Sequence, residues 1–409
     1  MEPKIRFKGF EGEWNDTIWG NHIVSTHTGT NLLGEVSNKG IPLLKMGNIQ
    51  RGFFDLDKME YLAANQNPPV NCIANYGDFF YNTRNTLELV GKGATWMKKD
   101  GIYAFNSNIA ICKLDGIDTF FFNYLYNTLR SIKQVQARAK GTTSVAAVYM
   151  RDLKSIELAL PHIPEQQAIA SYFTSLDSQI SASTSRLASL KQMKAASLQA
   201  MFPQEGETVP KIRFKGFEGE WKKVKLGDIA KFSKGQGYSK SDLKKTGHPI
   251  ILYGRMYTKY QFAIDEVDTF ANLKDASILS EGNEIIMPAS GETPEDIACA
   301  SAVLAKDIIL GGDLNIMHFD LTKFSTPFIA LVITYCKTHH DLSKCAQGKS
   351  VVHLHNGAIS KAIISLPSLA EQQAIASYFT SLDRQISFQS QRLEKLKQIK
   401  SACLDKMFV

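Results

Sequence analysis

The chain has 409 residues, 44% of them hydrophobic and 21% charged, and its 47 Lys and Arg against 40 Asp and Glu leave a formal net charge of +7. That is enough chain for about two to four globular domains, with only a mild tilt toward a polyanionic partner. Six scattered cysteines with no CxxC pair argue against a disulfide framework. No apolar run follows the charged opening, so a secretory leader is not expected, and stretches such as PFIALVITYC at 327–336 are too short to span a bilayer.

The first block, PKIRFKGFEGEW at 3–14, returns unchanged at 210–221. An insert of some 150 residues follows each copy. In the first insert, GDFFYNTR at 77–84 and IYAFNSNIAICKL at 102–114 carry strand-like runs beside turn residues. FFFNYLYNTLRSIKQVQAR at 120–138 has helical character. NPPV at 67–70 has the outline of an amino-methyltransferase loop, but Val70 cannot stack on a flipped base, so it is a turn. The loops join amides, cations and aromatics: KMGNIQRGF holds Lys45, Asn48, Gln50 and Arg51, YNTRN holds Asn82, Arg84 and Asn85, and AKGTT holds Lys140 and Thr142. Arg and Lys suit the acceptors of guanine, and Asn and Gln suit adenine.

Residues 165–202 contain no Gly or Pro. Ile169, Phe173, Leu176, Ile180, Leu187, Leu190 and Met201 recur at steps that form a heptad seam. Pro164 suits a helix start and Pro203 a helix stop. EQQAIASYFTSLDSQI at 165–180 returns at 371–386 with one change, and Ile375, Phe379, Leu382, Ile386, Leu393, Leu396 and Met407 continue the second seam. A helix of about 38 residues, roughly 57 Å long, cannot bury such a stripe alone. The two copies are therefore expected to pair, antiparallel in preference to parallel, with Ser183, Lys194, Ser197, Gln389, Lys400 and Cys403 as polar breaks that can set register.

The second insert echoes the first only faintly. HPIILYGRM at 248–256 faces IPLLKMGNI at 41–49, and AQGKS at 346–350 faces AKGTT at 139–143. GNEIIMPASG at 282–291 and CASAVLAKDIIL at 299–310 look like strands, and PFIALVITYCKTHHDLSK at 327–344 like a helix. Its candidate contacts are Arg255, Tyr257, Lys259, Gln261, Lys349 and Ser350. Cys336, His339, His340 and Cys345 have roughly zinc-like spacing, but the first insert has no counterpart, so no metal is assigned. His353 and His355, alternating on a probable strand, are likewise assigned none.

The expected fold class is α+β: two similar mixed domains joined by two long helices in an antiparallel coiled coil, an internal repeat with pseudo-two-fold character. The expected divisions are 1–164 (opening motif and first insert), 165–203 (central helix), 204–370 (linker, repeated motif and second insert) and 371–409 (C-terminal helix). Frames that stay alike while inserts diverge indicate one common partner and two different targets.

IRFKGFEGEW followed by KLGDIAKF at 225–232, inserts ending in LALP and ISLP, and EQQAIASYF opening a long helix that ends in MF together resemble the specificity subunit of Type I restriction–modification enzymes. The resemblance spans almost the whole chain. It implies a non-catalytic cytoplasmic protein whose inserts are target recognition domains, each taking one half of a split site on double-stranded DNA. It also implies that the helices act as a spacer ruler and dock two methylation subunits, with two restriction subunits completing the nuclease. About 48 Å of seam would match roughly fourteen base pairs. No cofactor is expected in this chain; S-adenosylmethionine would sit in the methylation subunit. A protein-only coiled-coil scaffold is the alternative. A self-contained methyltransferase lacks its aromatic at position 70 and its cofactor loop.

Overall fold

A computed structural model describes residues 2–36, 39–348 and 350–409. The chain forms two compact units, one of Met1–Thr184 with Gln391–Val409 and the other of Ser185–Ser390. Six helices of eight or more residues lie among the described residues: α1 (Thr119–Tyr126), α2 (Leu129–Ala137), α3 (Ile163–Ala200), α4 (Thr326–Tyr335), α5 (Lys337–Cys345) and α6 (Leu369–Met407). Each unit thus holds half of α3 and half of α6. No helix among the described residues is long and apolar enough to cross a membrane.

In the first unit an antiparallel sheet runs in the order Ile23–Thr28, Ile109–Leu114, Phe79–Asn82, Gly93–Thr95. Side chains alternate along a strand, and here both faces are covered. Phe79, Tyr81, Ala110 and Cys112 pack toward the helices with Trp19, Phe122 and Tyr126. Phe80, Ile109 and Ile111 pack on the other side with Trp96 and Phe105. Burying each large apolar side chain contributes about 1.5–3 kcal/mol, so this two-sided sheet anchors the unit. A second sheet runs Gly34–Glu35, Glu60–Leu62, Pro42–Leu44, Ala104–Phe105, its last pair parallel.

The second unit repeats this plan with other residues. Its main sheet runs Ala230–Lys234, Leu314–Phe319, Glu284–Pro288, Ser301–Val303, then Ala263–Ile264. Ile285, Met287 and Met317 face the helices, while Ile286, Leu314 and Ile316 face away. Its second sheet also pairs two strands in parallel, Ile250 with Ile309.

The single helix expected over 120–138 is two. Asn127 ends α1, and the Thr128 side chain caps α2 through the Ser131 amide. The stretch 327–344 is likewise split, because Cys336 is extended at φ −105° and ψ −175° between α4 and α5.

The duplicated blocks explain each other. In the first unit Arg6 grips Glu165 with both sides of its guanidinium, Nε to Oε1 and Nη2 to Oε2, each at 2.7 Å. The same side chain donates to the carbonyls of Gly12 and Glu11, closing the FEG turn. Gln166 accepts from the Asp118 amide and donates to the Pro161 carbonyl, tying the insert to the start of α3. The second unit reproduces each bond: Arg213 to Glu371 at 2.6 and 2.7 Å, Arg213 to Gly219 and Glu218, and Gln372 to Ser325 and Pro367. Trp14 meets Phe408 edge-on, and Trp221 meets Phe202 in the same way.

Within each unit the two helix halves run antiparallel. In the first, Asp177 pairs with Lys400 at 2.5 Å and the Tyr172 hydroxyl lies 3.4 Å from Cys403 Sγ. In the second, Asp383 pairs with Lys194 at 2.7 Å and Tyr378 with Ser197 at 2.8 Å. As the number rises on one helix it falls on the other. Lys194, Ser197, Lys400 and Cys403 thus meet cross-helix partners within their units, and the polar breaks Ser183 and Gln389 are buried. Phe173 and Phe379 are fully buried, as are most of the expected seam residues; Ile180, Leu187, Ile386 and Leu396 are half-buried.

Candidate nucleic-acid interface

In the first unit, loops far apart in sequence meet on one small sheet. Lys140–Gly141 pairs with Ala146–Ala147, which pairs with Arg84–Asn85. The ladder continues where the Val148 amide donates to Thr83 and the Leu87 amide to Thr143. Gly141, at φ +128°, allows the hairpin: a Cβ there would lie 2.3 Å from the Val145 carbonyl oxygen. Arg84 is exposed and, among the described residues, its side chain has no partner. Asn85 accepts from the Thr86 amide. Lys140 pairs with Asp152 at 2.9 Å and, with Arg151, holds that carboxyl below its usual range. The Thr142 hydroxyl accepts from the Val145 amide across the turn.

The 45–53 loop stands beside residues 88–93. Gln50 bridges the Gly47 carbonyl and the Lys92 ammonium, at 2.8 and 2.7 Å, and Arg51 donates to the Glu88 carbonyl at 2.9 Å. Burial lowers the pKa of Arg51. Burial and then the charge of Arg51 lower that of Lys92. Two cations share a half-dry corner there, an arrangement that favours an anion. Lys92 was not evident from the sequence. Lys45 is taken up by an ion pair with Glu60.

Three expected contacts need correction. Asn82 is fully buried, and its amide serves the Leu89 carbonyl and the Lys92 amide. Asn48 is buried and donates to the carbonyls of Asp55 and Lys58. Arg255 is buried too, donating to Asp268 at 2.5 Å and to Gln261 at 3.0 Å. These side chains satisfy backbone and loop groups that would otherwise be orphaned, and cannot also face a duplex. Gln261 is occupied by Arg255. Lys259 is exposed and pairs with Asp268 at 2.6 Å, and Lys259 and Arg255 together hold that carboxyl well below the usual range. Ser350 is exposed, and Lys349 lies outside the described residues.

The second unit builds the matching hairpin. Ser290–Gly291 pairs with Val352–His353, the Leu354 amide donates to Ala289, and Gln347 and His353 exchange backbone bonds. Gly348, at φ +137°, fills the role of Gly141. Tyr257 donates to the Ser290 carbonyl at 2.5 Å, and burial raises its pKa. The 253–261 loop therefore braces the hairpin from behind. At Gly291 a Cβ would lie 2.9 Å from the Tyr257 hydroxyl, so a side chain there would displace that brace. Among the described residues no group of His, Cys, Asp and Glu is placed to hold a metal ion.

The sequence reasoning missed Arg6, Glu165 and Gln166 with their second copies. The available signal was their place in the two repeated blocks.

Comparison with known proteins gives a consistent picture. The Type I restriction modification DNA specificity domain family matches residues 33–192 and 218–398. A putative type I restriction enzyme MjaX specificity subunit of Methanocaldococcus jannaschii is 22% identical over 400 residues, covering 90% of this chain and 86% of the relative. The MjaVIII specificity subunit of the same organism is 20% identical over 295 residues, 69% of this chain and 68% of the relative. The crystal structure of a Type-I restriction-modification system S subunit from M. genitalium superposes with a TM-score of 0.64 at 14% identity, covering 100% and 99% of the two chains, a likeness of fold.

Proposed function

The chain belongs to the Type I restriction modification DNA specificity family, a family of non-catalytic specificity subunits, and from that premise we propose that it reads a bipartite, asymmetric site on double-stranded DNA, one half per unit. The observation that carries this reading is the pair of matched hairpins. Corresponding backbone pairings and a glycine with positive φ in each turn carry Arg84, Asn85, Lys140 and Thr142 in one unit, and a different set around Ser290 and Ser350 in the other. A shared scaffold with unlike outward groups is what reading two unlike sequences requires.

In this reading Arg84 contacts a base edge, Lys140 and Lys259 serve phosphates, and Arg51 with Lys92 holds a backbone phosphate. The duplicated frames dock two methylation subunits, whose own S-adenosylmethionine supplies the methyl group, and two restriction subunits complete the cytoplasmic complex. The paired helices set the spacer between half-sites.

The test is to express the chain with its methylation partner and sequence the methylated adenines. Arg84→Ala should relax one half-site and leave the other unchanged. Deleting seven residues from each of α3 and α6 should shorten the spacer. A chain that enriches no bipartite sequence would instead be a protein-only scaffold, and an unchanged spacer would remove the ruler role.

A further inference from the structure

Superposing the two hairpin ladders by their hydrogen bonds gives a residue-by-residue correspondence. Ala147 lies opposite Arg84, and the next amide, Val148, donates to Thr83. His353 lies opposite Ser290, and the next amide, Leu354, donates to Ala289. His353 therefore takes the place of Ala147, His355 that of Tyr149, and Ser290 that of Arg84.

Alternation settles which side chains point outward. Val352 and Leu354 are buried, while His353 and His355 are exposed, as is Tyr149 in the first unit. The two imidazole planes lie within 2° of parallel, with centroids 6.3 Å apart. His353 Nδ1 lies 3.2 Å from Ser290 Oγ, and the carbonyl of Ser290 is itself held by Tyr257. His353 is thus fixed on a braced strand, and His355 lies two residues on, at the start of the short helix Asn356–Ile359. With Nδ1 occupied by the serine hydroxyl, His353 turns Nε2 outward. If the hydroxyl donates, Nε2 carries the proton and offers a donor; if the hydroxyl accepts, Nε2 offers a lone pair.

We propose that His353 and His355 are specificity-determining residues of the second unit, reading base edges in the major groove, with Ser290 as the positioning residue that holds the His353 ring through Nδ1. This rests on the DNA-reading function proposed above. A protonated Nε2 would meet the N7 or O6 acceptors of a purine, and a bare Nε2 the exocyclic amine of adenine or cytosine. Arg84, which takes the Ser290 position in the first unit, offers only donors, so the two halves need not share a base there.

The experiment uses the full chain with its methylation partner and compares methylated-adenine motifs for the wild type, His353→Ala, His355→Ala, His353→Gln and Ser290→Ala. Each histidine truncation should cost about tenfold or more in preference at one position of a single half-site, leaving the other half and the spacer unchanged. Ser290→Ala should alter preference at the position that His353→Ala alters. His353→Gln, which keeps both a donor and an acceptor at an exposed site, should hold the level of methylation while changing the preferred base. Unchanged motifs in both alanine variants, or equal relaxation of both halves, would overturn the assignment while leaving the bipartite reading standing. A wild-type chain with no preferred sequence would overturn both.

Discussion

Removing the arginine of the opening motif should destabilise the first unit far more than its surface position suggests. Glu165 is 2% exposed and Arg6 only 16%. The guanidinium makes two charge-assisted bonds to the carboxylate and two to the carbonyls of the FEG turn. Charge-assisted bonds contribute about 1.5–3 kcal/mol each, and breaking a buried pair by deleting one partner costs about 3–5 kcal/mol, because the remaining charge stays desolvated. Arg6→Ala is therefore expected to cost about 3–5 kcal/mol, and Arg6→Lys much of that, since an ammonium cannot form the forked contact. Urea unfolding followed by tryptophan fluorescence reports on this unit, which holds Trp14, Trp19 and Trp96 of the four tryptophans. The midpoint should fall by roughly 1–2 M. Glu165→Ala combined with Arg6→Ala should recover part of the loss, a coupling of about 2 kcal/mol or more. A loss under about 1 kcal/mol, or strictly additive single changes, would refute the argument that the repeated block serves as a buried clamp.

The seam supplies a second prediction. Lys194→Asp should weaken the second unit by about 1 kcal/mol, and adding Asp383→Lys should restore most of it, as measured by thermal unfolding; no rescue would mean that this pair does not hold the register. Arg255→Ala should act on stability rather than on base choice, lowering the unfolding free energy of the second unit by about 1–2 kcal/mol. Asp268 is exposed enough to return to water, so the full penalty of a stranded charge does not apply. A changed recognition motif with unchanged melting would reverse that assignment.

The linear chain carried the frame. Two blocks repeated 207 and 206 positions apart marked an internal repeat, and the step of the apolar residues from Ile169 onward identified helices that need a partner. Antiparallel pairing was expected from the pseudo-two-fold character of the repeat, and it is this direction that brings Lys194 to Asp383 and Lys400 to Asp177. Short β-prone runs bounded by turn residues, such as GDFFYNTR, disclosed strands, since turn chemistry and β-propensity are local properties of the chain. What the chain alone did not disclose was direction. Asn48, Asn82 and Arg255 are polar residues in stretches that read as loops in the sequence, although Asn82 ends the strand Phe79–Asn82 and Arg255 opens a short helical turn, and only tertiary packing decided that they turn inward to satisfy carbonyls and a carboxylate. The hairpin sheet was equally hidden, because Arg84 and Ala147 become neighbours through hydrogen bonds between segments more than sixty residues apart. The chain specified which residues could bond. Which of them were left facing outward depended on how the fold used the rest, because every buried polar group must find its partner before any can be spared for a ligand.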